Sequence, residues 1–569
     1  MKALMAFLIL SASVAAVAGI SKVAVRDFGA IPDDGKCDAA AINKSVNSVK
    51  APAEIIFEPG TYNLLDPGSG NYSLIVIKNK TGLILSGAVD ASGNPATRFE
   101  LNVKEMKNDL DTACPLRIYD SKSITVKNIF FDNKPAFATA GVITKVDKAA
   151  DSVEAEVFEG LPHFSGMSCY SANSWDLKTG ELIPVPALTI GANPKKFKHC
   201  WEKVPGSNPR LYRIQGMKFS AAVKPGQGMS WHFYVRNHGG GVFTARCEDL
   251  RLENLRFNNV KGVGIGSQFC KNIVYKKIII KPVAPQLASG ARDAYHLVCN
   301  DGTLLVEDCY VKGVRWDPFN IKSKFCVVSE VVNKRTLKGS VITGVAEPGD
   351  MSDSTAVFWV GGSPVVLKLD RIVWEKGFSK DARKRKIKKF TLSLKEDIPA
   401  SVKAGSQFTP HIWNFDKAII RNSVFEGNCG RAILYQGENL EISSCLFNNN
   451  TYANIALGPI DDQEGGFVRN AKIVNNRFIN STWDNTTPSL PHNGTIKVYQ
   501  NVPHYFKNQP YNVGITIEGN LFKGINYKKD YSAISISDAQ DVIIANNKYI
   551  DCRSKIYVDS RSTKDIKIK

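Results

Sequence analysis

Along most of this chain, apolar and polar positions alternate in short runs, and each run is followed closely by a second, shorter apolar stretch. The junction has a recurring form: apolar, polar, Asn or another small polar residue, then an apolar-rich stretch closing on an aromatic. It reads VKNIFF from Val126, LENLRF from Leu252, IRNSVF from Ile420, ISSCLF from Ile442, IVNNRF from Ile473, IEGNLF from Ile517 and IANNKY from Ile544, with VEDCYV from Val306 as a variant. Successive copies stand 22 residues apart at Ile420 and Ile442, 31 apart at Ile442 and Ile473, and 27 apart at Ile517 and Ile544. Repeats of this length mark a solenoid, in which no unit can bury its apolar face alone. The units read as short strands with Asn and Gly at their ends, and helical periodicity is almost absent between them. Asn tolerates left-handed backbone and can hydrogen-bond to its counterpart in the next unit. The pattern predicts an all-β chain, a right-handed parallel β-helix. Stacked β-sandwiches need regularly spaced hairpin signals, which are sparse here.

A solenoid needs its ends covered. VRDFGAIPDDGKCDAAAINKSVNSV, 25–49, predicts a strand, a turn and a helix with Asp38 near its N-cap, placed to plug the first coil. Asp27, Asp33 and Asp34 in this stretch read as cap and turn residues. Residues 134–231 and 323–415 break the repeat with hairpin-like segments such as VITKVDKAADSVEAEVF, and predict β-rich, barrel-like insertions. Residues 1–19 carry a basic start, a short apolar run and the small residues Ala16-Val17-Ala18, the pattern of a cleaved secretory signal. That leaves 20–569 as the β-helix domain with its two insertions. The expected location is outside the cytoplasm, periplasmic or extracellular, with no membrane span.

Composition narrows the class further. Hydrophobic content of 43% and charged content of 22% belong to a globular protein and exclude a disordered one. The twelve Cys include no CxxC pair, so no zinc site is expected, and Cys309 and Cys445 inside strand-like runs read as small buried hydrophobes. A formal charge of +19 favours acidic partners such as sulfated or sialylated glycans, or reflects solubility alone. The basic run KDARKRKIKK at 380–389 offers a polyanion site or, more simply, a solvated loop.

The densest candidate chemistry lies in RDAYHLVCNDGTLLVEDCYVKGVRWDPFN, residues 292–320. Asp293 and Asp317 are 24 positions apart with VEDCYV once between them, which is one coil. Strands in adjacent coils stack about 4.8 Å apart. Two acids on one face, one coil apart, suit paired-carboxylate chemistry, and splayed side chains reach the wider gap that an inverting glycosidase needs for its water.

WHFYVRNHGGGVF (231–243), DAYH (293–296), GVRWDPFN (313–320), CGRAILYQGENLEISSCLF (429–447) and EGGFVRNAKIVNNRF (464–478) resemble the bacterial α-1,3-galactosidases of glycoside hydrolase family 110. The resemblance runs in order over roughly 22–552 and is most specific over 231–320. It implies a pectinase-like β-helix and a metal-free, cofactor-independent inverting exo-glycosidase that removes terminal α-1,3-linked galactose. The partner is then a terminal α-galactosyl oligosaccharide on mucin-type or acidic glycans, with no nucleic acid involved. Asp293 and Asp317 match family acids, and His296 and Asn320 match as well. Trp316 stands where the family has a further acid, and Lys322 lies near the place of a family His. The expected site is therefore Asp293 and Asp317 as acid and base in unassigned order, with Arg236, His238, His296, Trp316, Asn320 and Glu464 binding substrate. Trp316 leaves two alternatives open: a glycan-binding β-helix with impaired catalysis, or a glycosidase of different sugar specificity.

Overall fold

The computed structural model describes residues 20–569 apart from 69–72, 109–111, 170, 185–187, 190–199, 207, 217–218, 234–239, 343–350, 353, 361–362, 381–385, 462–463, 485–491 and 502–509. Three long parallel sheets dominate it. One has 13 strands, from Ser21–Ala24 to Thr563–Ile568, and the second has 11, from Gly60–Leu65 to Lys548–Ile550. The third has 12, running from Ser73–Lys78 to Ile556–Val558, with Glu464–Gly465 added antiparallel to Phe319–Lys324. Strands from the three sheets follow one another along the chain, so each coil contributes a rung to each sheet. This is a parallel β-helix.

The recurring junction is the corner between two of these sheets. Its third residue takes the left-handed region in every copy: Asn128 at φ 61°, Asn254 at 50°, Asp308 at 56°, Asn422 at 52°, Ser444 at 54°, Asn475 at 57°, Gly519 at 66° and Asn546 at 55°. Asn, Asp and Gly accept this backbone at low cost, which explains their place there. The closing aromatic points inward and stacks on its counterpart one coil away. Phe425, Phe447, Phe478 and Phe522 form such a column, with centroids 4.8–5.0 Å apart and planes within 16°. Tyr549 extends it.

In the last three copies the fourth residue of the junction is Asn, and these residues build a buried polar ladder. Asn476 Nδ2 donates to Asn520 Oδ1 (3.1 Å), and Asn520 Nδ2 donates to Asn547 Oδ1 (3.0 Å). Asn476 Oδ1 also accepts the Cys445 N–H (2.9 Å), and its Nδ2 reaches the Ile442 carbonyl (3.0 Å). Replacing Asn476 with Ala strands several buried partners at once. The expected loss is about 1–3 kcal/mol, whereas Asn526→Ala, on the exposed Asn526–Asp551 pair, should stay within about 0.5 kcal/mol. Denaturant titration of the two variants checks this, and equal losses would remove the buried ladder from the list of stabilising elements.

The N-terminal helix forms as Ala39–Ser48 and buries Ala39, Ile42, Ser45 and Val46. Asp38 directly precedes it but makes no side-chain cap. Its carboxylate instead accepts the N–H groups of Ile31 (3.1 Å) and Asn63 (2.8 Å), tying the turn to the second coil, and burial pushes its pKa up to about 6.

Two antiparallel sheets interrupt the coils. The first lies within Ala138–His232 and packs Trp201 flat on Trp231, centroids 4.3 Å apart. The second lies within Cys326–Pro410 and closes on itself as a barrel, because Thr336–Ile342 pairs with both Cys326–Asn333 and Lys386–Leu394. Phe358, Phe390, Leu392 and Phe408 fill it. The basic run ends on the barrel strand Lys386–Leu394, and its residues 381–385 lie outside the described set. All twelve Cys are unpaired. Residues 1–19, read above as a signal, also lie outside the described set. Among the described residues no helix is long and apolar enough to cross a membrane.

Candidate active site

The third sheet carries the site. Tyr295 pairs with Phe319, and Phe319 with Ile433, although the barrel insertion separates the latter two by 114 positions. Asp293, Asp317 and Arg431 each lie two residues before these paired positions, so the three occupy successive rungs of one column. The 24-residue interval is indeed one coil: the Ala294 N–H donates to the Asp317 carbonyl (3.1 Å).

Asp293 and Asp317 are each 1% exposed. The Asp317 N–H donates to Asp293 Oδ1 (3.3 Å), and His296 Nδ1 donates to Asp293 Oδ2 (2.5 Å). His296 lies three residues on, at the start of Tyr295–Val298, with its side chain 24% exposed. Arg431, 7% exposed, clamps Asp317: its backbone N–H and Nε donate to Oδ1 (2.8 and 3.1 Å), and its terminal nitrogen to Oδ2 (2.8 Å). Asn320 Nδ2 adds a long contact to Asp317 Oδ2 (3.5 Å).

The two acids feel different fields. Burial drives both upward. For Asp293 the hydrogen bond and charge of His296, with Arg292 and Lys322 behind them, more than offset burial, so its carboxyl sits below the ordinary range. For Asp317 burial and the negative charge of Asp293 prevail over Arg431, and its carboxyl is raised.

The other expected binding residues divide. Asn320 pairs with His296 across the sheet and has a buried Oδ1 without a hydrogen-bond partner. Glu464 forms an ion pair with Lys322, 142 positions away in sequence, and its Oε2 is buried without a hydrogen bond. The Lys322 pair keeps Glu464 ionised against burial. Trp316 is half-buried under the Arg292 guanidinium, 5.4 Å from the ring centroid. Arg236 and His238 lie outside the described residues. Arg431 was not singled out from sequence. The signal for it was present: it stands in CGRAILY at the same distance before its strand as Asp317 before its own.

No group of three or more His, Cys, Asp or Glu among the described residues is arranged to hold a metal ion. A cavity of about 490 Å³ lies elsewhere, between the coil wall and the barrel, lined by Phe269, Trp413 and charged side chains. Those charges pair among themselves, as Arg246 with Asp120, Lys122 with Glu248 and Lys271 with Asp301. None of the expected site residues lines it.

No family model matches the chain. Curated proteins do. Alpha-1,3-galactosidase B of Bacteroides thetaiotaomicron is 23% identical, over 94% of this chain and 91% of its own. Alpha-1,3-galactosidase A of Shewanella woodyi is 21% identical, over 84% and 81%. The chain is a homologue of named alpha-1,3-galactosidases over most of its length. Among solved structures, a mannuronan C-5 epimerase module of Azotobacter vinelandii is 9% identical, with TM-score 0.41, covering 96% of this chain and 99% of that one. The family 28 exopolygalacturonase of Yersinia enterocolitica is 12% identical, with TM-score 0.38, covering 96% and 78%. These homologues are glycoside hydrolases by name, and the solved neighbours are pectinase-like β-helix proteins.

Proposed function

We propose that this chain is an exported exo-glycosidase that releases terminal α-1,3-linked galactose from glycans, with inversion at the anomeric carbon. The observation that carries the reading is the pair of buried carboxylates one coil apart, Asp293 and Asp317, with opposite shifts imposed by their surroundings. Such a split is how one site supplies both an acid and a base. Asp293, held ionised by His296, is the base that takes a proton from the attacking water. Asp317, pushed upward, is the acid that serves the leaving oxygen. His296, Asn320, Trp316 and Glu464 line the sugar. Asn320 Oδ1 and Glu464 Oε2 offer acceptors that sugar hydroxyls would satisfy.

One observation favours a second reading. Arg431 engages both oxygens of Asp317 and opposes its protonation, while Trp316 stands where the family resemblance places another acid. A site built this way holds a glycan without cleaving it. Galactose release from an α-1,3-galactosyl disaccharide decides between the two. Release is expected, with β-galactose as the first anomer seen by proton NMR; α-galactose first would exclude inversion. Trp316→Asp separates the readings further. Activity rising from near zero marks the natural protein as a glycan binder, whereas activity falling from a measurable level places Trp316 against the substrate.

A further inference from the structure

Among the described residues, no acid forms an ion pair with Lys497. Its strand, Asn493–Val498, turns Ile496 and Val498 into the coil core, so Lys497 faces outward. The pairing His296, Asn320, Leu434, Ala456, Lys497 puts it in the outward column that begins beside the paired acids. Leu434 and Ala456 between them are buried and apolar. Lys497 itself is 4% exposed. Its Nζ makes one long hydrogen bond to Asn493 Oδ1 (3.4 Å) and lies 5.1 Å from the Tyr499 ring centroid.

Three described acids of the site are already engaged: Asp293 by His296, Asp317 by Arg431 and Glu464 by Lys322. The segments flanking the strand, 485–491 and 502–509, contain no Asp or Glu. Burial and the Arg431 charge hold the Lys497 ammonium down to about 8, so it remains mostly protonated at neutral pH. A buried ammonium without an anion bears the whole desolvation cost of its charge. Such a residue is best accommodated where a ligand brings the anion.

We propose that Lys497 binds an anionic substituent, a sulfate ester or a carboxylate, on the glycan that occupies the Asp293–Asp317 site. The proposal rests on that site being the glycan site. Lys497 has donor capacity to spare beyond its single bond to Asn493. The overall charge of +19 draws acidic polysaccharides to the molecule at long range, and Lys497 fixes their position at short range.

Calorimetric titration of the full chain with galactose, galactose 6-sulfate and galacturonic acid tests this. An anionic sugar is expected to bind about ten- to hundredfold more tightly than galactose, the range for a hydrogen bond to a charged group. Lys497→Met should abolish the difference and Lys497→Arg should keep most of it. Preference for the sulfate alone identifies a sulfate ester, and preference for the uronate alone a carboxylate. Equal affinities in the natural protein, no binding of any of the three, or a preference that survives Lys497→Met overturns the proposal. Removing an unbalanced buried charge should leave the Met variant at least as heat-stable as the natural chain; if it fails to fold, Lys497→Gln replaces it. An anion preference without disaccharide hydrolysis would sink the hydrolase reading and leave this one standing, and hydrolysis without the preference does the reverse.

Discussion

Asp293→Asn is expected to lower galactose release by about 10²–10⁴-fold, the usual contribution of a positioned proton-transfer group, while the coils stay folded. The change is isosteric, so no cavity opens. Its effect is electrostatic and geometric together. The amide can still accept the Asp317 N–H on one side. On the other side its NH₂ meets His296 Nδ1, which in the natural protein donates to the carboxylate. The imidazole must then turn or change tautomer, so one substitution removes the base and misplaces the His beside it. Steady-state rates on the disaccharide, with circular dichroism and a melting curve on the same sample, report both. A variant that keeps activity within a factor of ten would show that Asp293 does not handle the proton.

Asp317→Asn should act on stability as well as rate. Arg431 is 7% exposed, and Asp317 is the carboxylate to which it donates from its backbone N–H and from two guanidinium nitrogens. Removing one partner of a buried pair leaves the other charge uncompensated, a cost of about 3–5 kcal/mol. The expected result is a clear fall in the unfolding midpoint, larger than that of Asp293→Asn. Adding Arg431→Met to Asp317→Asn should recover part of the loss, because the uncompensated charge is gone and the Met fills much of its volume. If Asp317→Asn melts with the natural chain, or the double variant is worse than the single, the pair is not what holds the two rungs together. Recovery of stability without recovery of activity would separate the structural role of the pair from its chemical one.

The coil architecture was legible along the chain because its causes are local. Each turn repeats the same corner, and that corner demands a residue able to adopt left-handed backbone, an inward aromatic and a polar residue for the ladder. VKNIFF and its relatives state the first two within six residues, and IVNNRF, IEGNLF and IANNKY state all three. The one-coil relation between Asp293 and Asp317 was legible for the same reason, since nothing interrupts the 24 positions between them. The helix Ala39–Ser48 was visible too, although Asp38 gives its carboxylate to Ile31 and Asn63 rather than to the helix end.

Only the tertiary structure decided what surrounds the two acids. The chain leaves the coil after Phe319–Lys324, builds a closed barrel, rejoins the coils at Lys417–Arg421 and then lays Ile433–Tyr435 on the rung it left. Arg431 thereby reaches Asp317 across 114 positions and Lys322 reaches Glu464 across 142. Local periodicity carries no information about the length of such an excursion, so neither pairing can be counted out along the sequence. Lys497 reads from sequence as one outward polar residue on a strand. Its burial, and the prior engagement of Asp293, Asp317 and Glu464, exist only once five rungs from different parts of the chain are stacked, because the free energy of a buried charge depends on which groups surround it in space rather than on its neighbours along the chain.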